Sequence, residues 1–328
     1  MDLIKKFDER IRQINDALNK TLSNGEPKIL YDAARHLPLA GGKRLRPLFV
    51  MLSAESVGGK GEDSLPFGLA VEIVHNFTLV HDDIMDKSSL RRGLETVHIK
   101  FGEPTAIIAG DLLFAKAFEV LYELKVEPVI FKKLNYVLIK SVEEICDGQQ
   151  LDMEFEKRKM VSEEEYLSMI EKKTASLFSC ATTGGAIVGG GNERQVDALK
   201  RYGKFFGLAF QIWDDYLDLC GKEEEVGKDI GNDLRNGKKT LIVAHALSNA
   251  DEKEKKILSS VLGNKRATHE DIKRAVEILS NIGSIEYARK KAEKYSEMAK
   301  SVLDDVLRDS DSKNVLKELA EYAISRRR

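Results

Sequence analysis

Two short acidic clusters in this chain share one spacing. Asp82, Asp83 and Asp86 stand in Asp-Asp-Ile-Met-Asp, and Asp214, Asp215 and Asp218 stand in Asp-Asp-Tyr-Leu-Asp. On a helix, positions i and i+4 share a face, so Asp82 and Asp86 project together. Like charges so placed oppose helix formation and ask for a cation. All-oxygen ligands suit a hard ion, and Mg2+ takes one or two carboxylates plus phosphate oxygens. A single cluster of this kind reads equally well as a solvated acidic face. Two copies, each inside a mainly apolar segment where uncompensated charge is costly, favour a ligand. If the two helices face each other, their carboxylates can hold several Mg2+ ions, and diphosphate is the natural group bound by them. Gln211 precedes Asp214 by three residues and Asp215 by four, which puts it on the same face.

A diphosphate also needs direct cationic donors. They occur in short groups beside glycines or beside the acidic clusters: Lys43, Arg44 and Arg46 in Gly-Gly-Lys-Arg-Leu-Arg-Pro; Arg91 and Arg92 before Gly93; Lys172 and Lys173 before Thr174; then Lys228, Lys238 and Lys239. Arginine forks onto phosphate oxygens, whereas lysine acts as a mobile point charge. Any one basic pair is ordinarily solvated surface, and placement next to the acidic clusters is what distinguishes these. His75 lies seven residues before Asp82, and spacing alone makes it an ordinary core histidine. His81-Asp82 spells a pair used by metal phosphohydrolases, but that reading lacks further histidine ligands and leaves the second acidic cluster unexplained.

The elements that position these groups are predicted to be helices. All six prolines, at 27, 38, 47, 66, 104 and 128, fall in the first 128 residues, so nothing interrupts long helices beyond them. Ile272, Ala275, Val276 and Leu279 follow a helical stripe. Ser162 with Glu165 forms a capping-box pattern, and Thr268 and Asn192 precede further helices. No alternating strand run and no tight hairpin signal is found. Breaks fall at Gly58–Gly61, Gly189–Asn192, between Gly221 and Gly237, and at Gly263-Asn264. The expected architecture is all-α: one large helical bundle around a central cavity, a single domain spanning residues 1–328.

Lys+Arg is 52 and Asp+Glu is 54, a net charge of −2, which gives no support for nucleic acid as a partner. Cys146, Cys180 and Cys220 make no metal-ligand pair, and a reduced cytoplasmic setting is the simplest reading. The charged N-terminal stretch has no apolar signal core, and no apolar run reaches transmembrane length.

Taken in order, GGKRLRP, EIVHNFTLVHDDIMD, RRG, KKTASLF, GLAFQIWDDYLD and GKDIGNDLRNGKKT resemble the trans-type polyprenyl diphosphate synthases. The resemblance covers Gly41 to about Lys239 by motif. It implies a helical bundle, usually a homodimer, that condenses isopentenyl diphosphate with allylic diphosphates using about three Mg2+ ions. Carried over by position, Asp82, Asp83, Asp86, Asp214 and Asp218 resemble the metal ligands, with Asp82, Asp86 and Asp214 as the principal ones. Lys43, Arg46, His75 and Arg92 match the isopentenyl diphosphate site. Arg91, Lys173, Thr174, Gln211, Lys228 and Lys238 match the allylic diphosphate site. The family also places a length-setting residue five positions before the first Asp, here Phe77. With two residues inside the acidic motif, this resembles archaeal geranylgeranyl diphosphate synthases and implies a twenty-carbon product. The competing readings are a farnesyl or longer product, a class I terpene cyclase, and a non-catalytic synthase subunit. A cyclase normally carries an Asn/Asp-Ser/Thr-Glu type second motif where this chain has DDYLD. A subunit predicts loss of an acidic motif, and both are intact.

Overall fold

Past Pro128 the chain builds its longest helices, of 29 and 28 residues, because nothing in that stretch removes a backbone donor. The structure, a computed structural model, describes residues 6–23, 25–220 and 231–326. In chain order the helices are α1 (Asp8–Thr21), α2 (Lys28–His36), α3 (Leu45–Ser56), α4 (Leu65–Met85), α5 (Val97–Phe101), α6 (Glu103–Glu119), α7 (Pro128–Glu156) and α8 (Glu163–Ile170). They continue with α9 (Ser176–Val188), α10 (Glu193–Cys220), α11 (Asn232–Asn236), α12 (Leu241–Asn249), α13 (Glu252–Val261), α14 (His269–Asn281), α15 (Ser284–Asp304) and α16 (Asp311–Ala323). The all-α expectation holds.

The helix starts read from sequence hold too. Ser162 accepts from the Glu165 amide in a full capping box, as Thr268 does from Asp271. Asn192 and Gln195 exchange the same pair of bonds at 2.9 and 3.0 Å. Ile272, Ala275 and Leu279 form the buried stripe of α14. A small correction concerns strands: Leu90–Arg91 pairs antiparallel with Leu94–Glu95. Arg92 and Gly93, at the turn, have φ of 54° and 76°. A two-residue hairpin of type I′ needs positive φ at both central positions. The first of them is an arginine, so the usual Asn-Gly or Gly-Gly signature is missing from the sequence.

The chain separates into two compact units. One comprises Met1–Val142, Cys180–Lys200 and Val306–Leu316; the other comprises Glu143–Ser179, Arg201–Asp305 and Lys317–Arg328. In the first, α4 packs mainly against α6 and α3. It buries Phe67, Leu69, Ala70, Val71, Ile73 and Val74 in one run. A helix apolar around its whole circumference belongs in an interior, and each such large side chain contributes about 1.5–3 kcal/mol by leaving water. In the second unit, Tyr166, Ile170, Leu208, Ile212, Leu241, Ile242 and Leu279 share one core. There α12 packs against α15 and α8.

Candidate active site

The first acidic cluster forms the last turn of α4 and its cap. Asp86 is the C-cap residue in right-handed conformation, and its N–H donates to the Asp82 carbonyl at 2.8 Å. Lys87 then takes a left-handed φ of 54°. Its N–H reaches the Ile84 carbonyl at 3.2 Å, and that of Ser88 reaches the Asp83 carbonyl at 2.9 Å. This is a Schellman closure with lysine where glycine is usual. It ends the helix sharply while leaving Asp82 and Asp86 one turn apart.

Asp83 goes elsewhere. It is buried, and Nε of Arg91 donates to its two oxygens at 2.8 and 2.9 Å. Burial pushes this carboxyl above its ordinary range, although Arg91 pulls the other way. Among the described residues no three acidic, histidine or cysteine side chains converge to hold an ion by themselves. The structure therefore does not gather Asp82, Asp83 and Asp86 into one cage. The donor set still fits Mg2+, which is commonly held by one or two carboxylates and completed by phosphate and water.

The cations of the first unit gather around His75. Gly41 and Gly42 adopt φ of 93° and 138°, open only to glycine at little cost. A Cβ at Gly42 would lie 3.2 Å from the Arg92 guanidinium carbon. Arg92 uses this approach to donate to the carbonyls of Gly41 and Leu37. Arg44, also left-handed, turns inward and donates to Glu72 at 2.7 Å, to Asn15 at 2.8 Å and to the Pro38 carbonyl at 2.5 Å. With Arg44 anchored, Lys43 precedes and Arg46 lies in the first turn of α3, a position whose helix dipole also favours anions.

His75 is held well below the ordinary imidazole pKa, first by loss of hydration and then by Arg46, Arg92, Arg91 and Arg44. A group whose folded pKa lies below its unfolded value binds fewer protons when folded. Its stability contribution is complete above the unfolded pKa and is lost as pH falls below it. The loss sets in as pH falls through the ordinary imidazole range, at about 6.5. His75→Gln is expected to lose correspondingly less on acidification than the parent in urea titrations at pH 7.5 and 5.5. An equal acid loss in both proteins would contradict the assignment.

Phe77 packs on His81 and on Phe114 of α6, with ring centroids 5.1 and 5.5 Å away, and Phe114 continues to Phe118 at 5.1 Å. His81 bonds through Nε2 to the Ile107 carbonyl at 3.1 Å, so its ring is engaged with α6.

In the second unit, Lys173 and Thr174 lie in a π-helical turn, Glu171–Ala175, between α8 and α9. Such turns interrupt regular hydrogen bonding and often mark functional sites. Neighbouring helices approach this one closely. A Cβ at Gly148 of α7 would sit 2.3 Å from the Lys173 amide nitrogen, and one at Gly207 of α10 would sit 2.4 Å from the Ala175 Cα. Lys173 and Lys238 both donate to Asp152 Oδ2, at 2.6 and 2.8 Å, and Lys238 also pairs with Glu156 at 2.9 Å. Burial pushes Asp152 up, but the two ammonium groups prevail and hold it below the ordinary carboxylate range. Lys228 lies outside the described residues.

A polar chain leads into the second acidic cluster. Thr174 donates to Gln211 Oε1 at 2.9 Å, Gln211 donates to Asp215 Oδ1 at 2.9 Å, and the Tyr166 hydroxyl donates to Asp215 Oδ2 at 2.6 Å. Asp215 is thus buried and satisfied, and burial pushes its carboxyl up to about 7. Asp214 stays partly exposed and accepts from Arg326 at 2.6 Å. Asp218 Oδ2 accepts from the Asp233 amide at 3.1 Å, tying α10 to the start of α11. Asp152, Glu156, Tyr166 and Arg326 had no place in the motif reading. Only Asp152 left a trace, in the polar run Gly-Gln-Gln-Leu-Asp inside a long helix.

Among the described residues the fold is all-α, with an acidic cluster on a helix in each unit and lysine or arginine side chains clustered in each. The chain belongs to the polyprenyl synthetase family: the model of the family described as Polyprenyl synthetase matches residues 27–279. It is 48% identical to the geranylgeranyl diphosphate synthase of Saccharolobus solfataricus, over 100% of this chain and 99% of that protein. Its fold is similar to the crystal structure of the geranylgeranyl pyrophosphate synthetase from Pyrococcus horikoshii Ot3, with a TM-score of 0.95, 42% identity, and coverage of 99% of this chain and 98% of that one. It is also similar to a Caulobacter crescentus CB15 polyprenyl synthase complexed with calcium and isoprenyl diphosphate, with a TM-score of 0.90, 33% identity, and coverage of 99% and 97%.

Proposed function

We propose that this protein is a Mg2+-dependent prenyltransferase. It adds isopentenyl diphosphate head-to-tail to dimethylallyl, geranyl and farnesyl diphosphates, releases diphosphate at each step, and stops at geranylgeranyl diphosphate. The observation that carries this reading is the group of Arg46, Arg91 and Arg92 around His75, beside the glycine turn that Arg92 braces. Such a cluster recognises an anion through several donors. Lys43, Arg46, His75 and Arg92 bind the isopentenyl diphosphate. For the allylic diphosphate the family resemblance supports Arg91 in the first unit and Lys173, Thr174, Gln211 and Lys238 in the second, together with Lys228. The calcium and isoprenyl diphosphate in the Caulobacter relative support a divalent cation with this ligand class.

Asp82, Asp86 and Asp214 would hold Mg2+, with Asp83 and Asp218 behind them as partners of Arg91 and of the α11 start. When bound, the ions supply charge neutralisation to the departing diphosphate. Lys173 and Lys238 add fixed positive charge there, preset by Asp152, so little reorganisation is needed as charge develops. Thr174 spends its proton on Gln211, leaving its hydroxyl lone pairs as a dipole for the allylic cation. That cation must be kept from water, which would trap it.

The product length rests on Phe77. Phe77 contacts Phe114, which continues the aromatic row to Phe118 on a second helix, and the names of the similar archaeal enzymes support the same length. Phe77→Ser is expected to shift most product beyond twenty carbons, measured by chromatography of dephosphorylated products. An unchanged distribution would remove Phe77 from this role. On the first unit, Ile107, Ile108, Tyr136 and Ile139 are 43%, 52%, 62% and 42% exposed on α6 and α7. Exposed large apolar side chains of this kind support a homodimer. No helix among the described residues is long and apolar enough to cross a membrane, and none of Cys146, Cys180 and Cys220 is in a disulfide. Both features fit a cytoplasmic location.

The test is incubation with Mg2+, isopentenyl diphosphate and farnesyl diphosphate. A twenty-carbon diphosphate is expected. Absence of elongation with farnesyl, geranyl and dimethylallyl primers would overturn the reading and favour a subunit or hydrolase role.

A further inference from the structure

Arg326 follows α16 and is buried, yet the motif reading gives it no role. Its Nη1 donates to Asp214 Oδ1 at 2.6 Å and its Nη2 to the Phe210 carbonyl at 2.8 Å. Its Nε donates to the Ala323 carbonyl at 3.2 Å, and the guanidinium carbon sits 3.8 Å from the centroid of the Phe210 ring. The Trp213 indole N–H donates to the Arg326 backbone carbonyl at 3.1 Å. The Arg326 side chain is 4% exposed, while that of Asp214 is 42% exposed.

This asymmetry matters. A cation held by two backbone carbonyls and a ring face is a fixed anchor, since leaving would strand those partners. The carboxylate it grips is fixed through one oxygen and still reaches solvent. Groups that bond the outer side of a metal ligand set its orientation and commonly control metal affinity. Resting on the reading of Asp214 as a Mg2+ ligand, we infer that Arg326 is a positioning residue: it locks the Asp214 carboxylate through Oδ1 and so presents the remaining edge to the divalent ion. Arginine is suited to this because its rigid planar fork holds carboxylate and carbonyl in one fixed geometry, where a lysine offers rotatable donors on a flexible stem.

The experiment is a double-mutant cycle on the full chain, using Arg326→Gln, Asp214→Asn and the pair. Calorimetry measures Mg2+ affinity in the presence of inorganic diphosphate. Trp213, the sole tryptophan, reports by its emission whether the segment after α16 stays docked. Arg326→Gln is expected to weaken Mg2+ binding about 10–100-fold, with kcat recovering at raised Mg2+. In the Asp214→Asn background the same change is expected to do nothing further, because it acts through Asp214. Arg326→Lys is expected to fall between. An Arg326→Gln protein with parental Mg2+ affinity would overturn the inference, as would an equal loss in both backgrounds, whether or not the Trp213 emission shifts. If Asp214→Asn itself leaves Mg2+ affinity unchanged, Asp214 is not a metal ligand, and the underlying assignment fails together with the inference.

Discussion

Asp82→Asn is expected to lower the condensation rate by about 10²–10³-fold, the scale of losing one principal electrostatic contributor to a developing anion. The protein should stay folded, because the substitution removes a like charge from the crowded end of α4, where Asp83 and Asp86 remain. Raising Mg2+ should recover part of the rate. Asp83→Asn should behave differently. Its carboxylate is buried on Arg91, so that change should cost stability and allylic diphosphate affinity with a smaller Mg2+ dependence. Steady-state rates over a Mg2+ series, paired with urea unfolding, separate the two. Parental activity in Asp82→Asn would discard the metal role of the α4 end.

The largest stability effect is expected from Glu72→Ala, a residue that touches no substrate. Arg44 and Glu72 are 1% and 3% exposed at 2.7 Å. An exposed pair of this kind contributes only about 0–1 kcal/mol. Removing one partner of a buried pair costs about 3–5 kcal/mol, because the other charge is left stranded. Asn15 and Pro38 still bond Arg44, which places the expected loss at the lower end, about 3 kcal/mol. The same change frees the turn that carries Lys43 and Arg46, so KM for isopentenyl diphosphate should rise more than KM for the allylic substrate. Glu72→Gln keeps a hydrogen-bond acceptor and should lose less. A loss under about 1 kcal/mol in Glu72→Ala would show that Arg44 does not depend on this partner.

The helical architecture was legible in the chain because its signals are local. Capping residues, proline positions and apolar periodicity act within one or two turns, and Ser162, Thr268 and Asn192 begin helices where their side chains predicted. The short pairing at Arg91 escaped because it depends on Arg92 adopting a conformation that arginine seldom takes. Spacing brought out the two acidic clusters, since i and i+4 on a helix is a geometric certainty once the helix is granted. Spacing alone also left His75 looking like ordinary core; the family resemblance assigned it to a substrate, and the surrounding arginines support that placement.

By itself, then, the sequence determined the helical class, the family motifs and which carboxylates repeat. Only the tertiary structure decided which of those carboxylates point outward. Asp83 and Asp215 sit one residue from Asp82 and Asp214, but each is turned inward by a partner on another element: Arg91 for the first, Tyr166 for the second. Adjacent helical residues diverge by about 100°, so burial of one and exposure of the next follows from which face meets the core. The partners Asp152 and Arg326 were beyond reach for the same reason. Each contacts its site residue across 21 and 112 positions of chain, and no local pattern encodes a contact made by packing.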